Sequence, residues 1–155
     1  MGTYRVRPAV AGDLEAILRL QDARAEEAGA TVPPPTAGAP EAATWTEMMA
    51  TPNLRVYVAE QGGEIVGNTC VTLVPNLING CRPTAFVEPM LVAADHRRRG
   101  VGRLLVDRML DDLRATGCYK VQLLSHKRHA EDGAHAFYES FGFATEAEGF
   151  RLYMT

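Results

Sequence analysis

One stretch of this 155-residue chain limits its fold more than any other: Leu91-Val92-Ala93-Ala94-Asp95-His96-Arg97-Arg98-Arg99-Gly100-Val101-Gly102-Arg103-Leu104-Leu105. An apolar strand ends, a short turn of arginines and glycines follows, and a long amphipathic segment begins. In that segment Gly102, Leu105, Val106, Met109, Leu110 and Leu113 recur at helical spacing, with Asp107, Arg108, Asp111, Asp112 and Arg114 opposite. The pattern predicts a helix over residues 100–116, ended by Gly117.

The start of such a helix is suited to an anion. Its first backbone N–H groups have no partner in the helix, and the helix dipole adds partial positive charge there. Glycines at 100 and 102 remove side chains that would keep a diphosphate from the backbone, and the arginines supply bidentate donors around it. The segment reads as a pyrophosphate cradle. It is not the dinucleotide fingerprint, because position 105 is Leu rather than Gly, and no Gly-Lys-Ser/Thr follows to make a P-loop.

Charge distribution agrees with that reading. The net charge is −3, yet residues 95–128 carry nine Lys and Arg against four Asp and Glu. Residues 1–94 carry six against ten, and residues 129–155 one against five. An acidic chain has gathered its cations in one window, as a surface facing an anion would. A single Arg triplet without interleaved aromatics does not make a nucleic-acid module, so no nucleic-acid partner is expected.

Length and composition bound the rest. A chain of this size is one domain, 1–155, and 46% apolar with 23% charged residues is ordinary for a soluble globular protein. No run of 18 apolar residues exists, so no membrane partner is expected, and the first residues lack the apolar core of a signal peptide, which places the expectation in the cytoplasm. Cys70, Cys81 and Cys118 contain no C-x-x-C pair, and neither they nor any carboxylate–histidine set has metal-ligand spacing. Buried thiols and no metal are the expectation.

Along the chain, residues 4–7 read as a short strand stopped by Pro8. Asp13 can cap a helix whose stripe is Leu14, Ile17, Leu18 and Gln21. Residues 29–40 form a loop, and a second helix covers 41–50. Strands over 54–60 and 64–74 are joined by Gln61-Gly62-Gly63, a step suited to a tight hairpin. After the loop 75–83 comes a strand over 84–92 that contains Pro89, which cannot donate to a ladder; it is bulged near Glu88-Pro89 or lies at an edge. A strand over 120–125, a helix over 132–141 closed by Gly142, and a strand pair 143–147 with 150–154 complete the chain. The order predicts a mixed, mostly antiparallel sheet flanked by helices, an α/β fold opened near Glu88-Pro89.

Arg97-x-x-Gly100-x-Gly102 resembles the acetyl-CoA signature of the GNAT (Gcn5-related) N-acetyltransferases. Ala134-His135-Ala136-Phe137-Tyr138-Glu139-Ser140-Phe141-Gly142-Phe143 resembles the family's late A-x-x-F-Y-x-x-x-G-F motif, in the right order and at the right separation. Val6-Arg7-Pro8-Ala9 with Asp13 resembles its opening. Gly117-Cys118-Tyr119-Lys120-Val121 is similar to the wording of glucosamine-phosphate acetyltransferases.

The resemblance implies a catalyst for direct transfer of an acetyl group from acetyl-CoA to the primary amine of a small molecule, with no metal. By it, the backbone of Met90, Leu91 and Val92 pairs with the pantetheine arm. Arg97, Arg98, Arg99, Gly100, Val101, Gly102, Arg103 and Leu104 hold the pyrophosphate, and Tyr138 protonates the departing thiolate. Glu88 takes the proton of the incoming ammonium, with His126 the competing base and His96 a turn residue on the cofactor side. The family often places an Asn before the late helix in contact with the cofactor; this chain has none from Cys118 to Phe137, and Glu131 or Asp132 stands there. The resemblance is compatible with a homodimer. Acetylation of a protein or peptide amine and non-catalytic acyl-CoA sensing are the alternative activities. An acidic N-terminal half favours cationic acceptors, whereas residues 117–121 point to phosphorylated amino sugars.

Overall fold

The computed structural model describes residues 2–29, 31, 38–125 and 133–154. Contacts divide the chain into two compact units, Met1–Gln122 and Leu123–Thr155.

The first unit is built on a sheet of order β1-β2-β3-β4-β5, formed by β1 (Arg5–Pro8), β2 (Leu54–Gln61), β3 (Glu64–Val74), β4 (Thr84–Val92) and β5 (Lys120–Leu123), the last ending at the division. The pairs β1–β2, β2–β3 and β3–β4 are antiparallel. β2 and β3 meet through a two-residue turn in which Gly62 and Gly63 have φ of 61° and 86°. Both values are positive, as the hairpin turn that matches strand twist requires. Pro8 ends β1 as its last residue rather than standing after it. It pairs with Tyr57 on an outer strand, where a missing N–H costs nothing.

Helices cover both faces. α1 (Leu14–Glu27) and α2 (Ala39–Ala50) lie over a core of Ile17, Trp45, Val56, Val58 and Cys70. The indole of Trp45 donates to the carbonyl of Ala11 at 3.0 Å and fixes α2. Side chains alternate along a strand, so Tyr57 between Val56 and Val58 points to the other face, toward α3 (Val101–Arg114). α3 buries Val101, Leu105, Val106, Met109 and Leu113, and each such residue stabilises the fold by about 1.5–3 kcal/mol. Gly67 lets α3 approach: a Cβ there would stand 3.2 Å from Val101 Cγ1 and 3.0 Å from the carbonyl of Leu91.

Three expectations need correction here. Asp13 does not cap α1 with its side chain; its carboxylate turns back to the Arg7 guanidinium, at 2.7 and 3.0 Å, and to the N–H of Val10 at 2.8 Å. A buried carboxylate is better satisfied by a cation and a donor than by a helix end alone. The buried stripe of α1 holds Ile17 and Leu20, whereas Gln21 is exposed. Of the three thiols, Cys70 is buried and Cys81 is exposed.

In the second unit α4 (Ala134–Glu139) is shorter than the expected helix. Residues 143–154 form no strand, although a pair was expected. Phe150, Leu152, Tyr153 and Met154 are exposed, and alternation yields a strand only where a neighbouring strand takes up the ladder bonds. Among the described residues no helix is long and apolar enough to cross a membrane.

Candidate active site

β4 is an interior strand, and its bulge is where Pro89 requires one. Thr69 pairs with Met90 and Val71 with Val87, so Glu88 and Pro89 together face the single residue Cys70. The Glu88–Pro89 peptide is cis. Past the bulge, the N–H of Ala93 bonds the carbonyl of Val66 at 2.9 Å. Antiparallel pairs alternate, so Leu91 turns its backbone groups to Asn68, while Met90 and Val92 turn theirs away from β3. β5 begins beside β4, with the Tyr119 N–H on the Pro83 carbonyl at 2.8 Å, and at four residues it is much shorter than the nine of β4. The outer edge of β4 at Met90 and Val92 therefore extends past its neighbour. Glu88 is exposed at the bulge and has no ion-pair partner among the described residues.

The turn that follows is shaped by backbone conformation. Arg98 has φ 59° and Gly100 φ 87°, both in the left-handed region; glycine takes it without cost, whereas Arg98 is held there against its steric preference. These residues turn the chain straight into α3. The helix ladder starts with the N–H of Leu104 on the carbonyl of Gly100 at 3.1 Å, so the N–H groups of Val101 and Gly102 precede it. Gly100 supplies no capping side chain. Arg98, Arg99 and Arg103 are exposed around this helix start. The arrangement fits a polyanion carrying adjacent phosphates.

Arg97 is placed differently from the other three arginines. Its Nε donates to the carbonyl of Val92 at 2.9 Å, and one terminal nitrogen lies 2.9 Å from both carboxylate oxygens of Glu27, at the end of α1. Together they border a cleft of 250 Å³ between α1 and the end of β4, which Leu20, Ala23 and Leu91 also line. Glu27 is the site residue that sequence reading misses, because 70 positions separate it from Arg97 and no local pattern joins them. His96, expected on this side, ends the short 3-10 turn Ala94–His96 that follows β4; the Tyr4 hydroxyl lies 3.0 Å from its Nδ1.

Tyr138 belongs to the second unit. It stands on α4 between the rings of Phe137 and Phe143, with centroids 5.1 and 5.9 Å away, edge to face. Burial raises its pKa above the ordinary phenol value. Gly142, at φ 88°, closes the helix as expected, with its N–H on the carbonyl of Glu139 at 2.9 Å. Glu88, Met90, Leu91, Val92 and residues 97–104 thus occupy one continuous strand–turn–helix of the first unit, and Tyr138 the helix of the second. His126, Glu131 and Asp132 lie outside the described residues. No group of three or more His, Cys, Asp or Glu among the described residues is arranged to hold a metal ion.

Residues 17–143 match the model of the acetyltransferase (GNAT) family. A stretch of 98 residues is 30% identical to the glucosamine 6-phosphate N-acetyltransferase of Trypanosoma brucei brucei; it covers 63% of this chain and 63% of that protein's length. A provisionally named acetyltransferase from Agrobacterium tumefaciens str. C58 superposes with a TM-score of 0.86 at 33% identity, over 97% of this chain and 99% of its own. A transcriptional regulator from Bacillus halodurans C-125 also gives 0.86, at 27% identity over 98% and 100% of the two chains.

Proposed function

The chain belongs to the acetyltransferase (GNAT) family, and from that premise we propose that residues 1–155 act as one domain that carries an acetyl group from acetyl-CoA to the primary amine of a small molecule. The observation that carries the reading is the run from β4 to α3. A strand edge extends past its neighbour at Met90 and Val92, and it leads directly into a helix start that presents the N–H groups of Val101 and Gly102.

Acetyl-CoA, when bound, supplies an acetyl group activated as a thioester. The N–H groups of Val101 and Gly102, with Arg98, Arg99 and Arg103 around them, hold the diphosphate by charge-assisted hydrogen bonds. The outward backbone groups of Met90 and Val92 align the pantetheine amides as a further strand would. Glu88, exposed at the bulge, takes a proton from the acceptor's ammonium, directly or through water, and frees the nitrogen lone pair for attack. As the carbon–nitrogen bond forms and the carbon–sulfur bond breaks, the Tyr138 hydroxyl gives its proton to the departing thiolate. Burial favours that role, because a raised pKa keeps the phenol protonated across the neutral range. Similarity to a glucosamine 6-phosphate N-acetyltransferase supports an amino sugar phosphate as the first acceptor to try.

The test is turnover of acetyl-CoA against a panel of amino sugars, amino sugar phosphates and aminoglycosides, read as free thiol released. Amine-dependent release supports the reading. Tight CoA binding without release for any amine overturns it in favour of an acyl-CoA sensor.

A further inference from the structure

Arg97 opens the signature turn, yet its guanidinium is already engaged on two sides. Its Nε serves the carbonyl of Val92, one of the outward-facing groups at the end of β4. Its terminal nitrogen is shared by both oxygens of Glu27 at 2.9 Å. Three elements therefore meet in one side chain: the end of β4, the turn before α3, and the last residue of α1. Glu27 is also 3.5 Å from Arg24, so the carboxylate is itself oriented along its own helix.

We propose that Glu27 is a positioning residue for the cofactor site, acting through Arg97, which binds protein rather than phosphate. The inference rests on the cofactor reading above. The geometry argues as follows. An arginine that contacts a diphosphate must present its planar fork outward. Here the fork is committed to a carbonyl and a carboxylate, and an anion would have to displace Glu27 to reach it. Conversely, residues 97–100, between the short 3-10 turn Ala94–His96 and α3, belong to no helix or sheet ladder, and Arg98 within them is held at a left-handed φ of 59°. A clamp from Arg97 to the end of α1 holds those residues, so that the N–H groups of Val101 and Gly102 are in place before the ligand arrives.

The pair is partly exposed, with side-chain exposures of 43% for Arg97 and 32% for Glu27, so its removal costs little global stability. Its effect belongs to cofactor affinity. The experiment is titration of CoA into the full chain by calorimetry for wild type, Glu27→Ala and Glu27→Gln, with thermal unfolding of each, and steady-state rates against acetyl-CoA. Glu27→Ala should unfold near the wild-type temperature, weaken CoA about tenfold, and raise the KM for acetyl-CoA by a similar factor with a much smaller change in kcat. Glu27→Gln, which keeps one oxygen to accept from Arg97, should fall between the two and serves if the alanine variant does not fold. Equal affinity in wild type and both variants overturns the inference. Tighter binding in Glu27→Ala also overturns it, since Arg97 would then be a phosphate ligand for which Glu27 competes. Wild type that binds no CoA overturns the cofactor reading, and this inference with it.

Discussion

The Tyr57 hydroxyl donates to Oδ2 of Asp112 at 2.9 Å, joining the buried middle of β2 to the last turns of α3. Arg108 reaches the same oxygen at 3.2 Å from one turn earlier on the helix. The proposed cofactor cradle lies at the opposite end of α3, so this bond helps fix the helix whose start would form it.

Burial pushes the Tyr57 phenol up to about 12, with the Asp112 carboxylate adding to the effect. A raised phenol pKa stabilises the fold fully below the unfolded value near 10, and that stability is lost as pH rises through about 12. Tyr57→Phe should lower stability by about 1–2 kcal/mol at neutral pH in urea unfolding. It should also flatten the fall in stability between about pH 10 and 12; an unchanged alkaline slope would assign that fall to other groups.

Asp13 behaves in the opposite sense. The Arg7 guanidinium holds its carboxyl below the ordinary carboxylate range, against the opposing effect of burial. The stability from this group is present above its unfolded value near 4 and is lost as pH falls through the lower folded value. Asp13→Asn should cost about 2 kcal/mol at pH 7 and much less at pH 3, measured by chemical denaturation at both pH values.

Gly102 stands in the first turn of α3, where residues other than glycine favour the helix, so Gly102→Glu should fold. Its carboxylate would enter the cradle and repel a diphosphate. CoA affinity should fall about tenfold or more by calorimetric titration, and unchanged affinity in the folded variant would remove residues 98–104 from cofactor binding.

Tyr138→Phe removes one oxygen and leaves the ring packed between Phe137 and Phe143. General acid catalysis is worth about 10²–10⁴-fold, and the loss should fall on kcat rather than on the KM for acetyl-CoA. A rate near wild type, with chemistry shown to limit turnover, would return Tyr138 to a packing role.

Glu88→Gln should lower kcat/KM and abolish the acidic limb of the pH–rate profile, with rates recovering at high pH where the amine is already neutral. His126→Ala should keep that limb. The reverse outcome would exchange the two roles.

Much of this protein is determined locally and can be read from the sequence. β3 and β4 occupy the expected residues 64–74 and 84–92, because β-branched runs bounded by turn residues act over near neighbours. α3 follows Gly100 and ends before Gly117 for the same reason. The missing N–H of Pro89 limits β4 to a bulge or an edge position, and the bulge follows once β4 lies inside the sheet. Tertiary structure decided what depends on partners far along the chain. Whether Asp13 capped a helix or bound Arg7 depended on how β1 met the turn before α1. Residues 143–154 have the alternation of strands but no ladder, since a strand is completed by another strand and not by its own pattern. The signature announced Arg97 as a cation at an anion site, and the packing of α1 against the end of β4 supplied its anion from Glu27. An ion pair forms where folding brings two charges within reach, and no periodicity of the sequence encodes that distance.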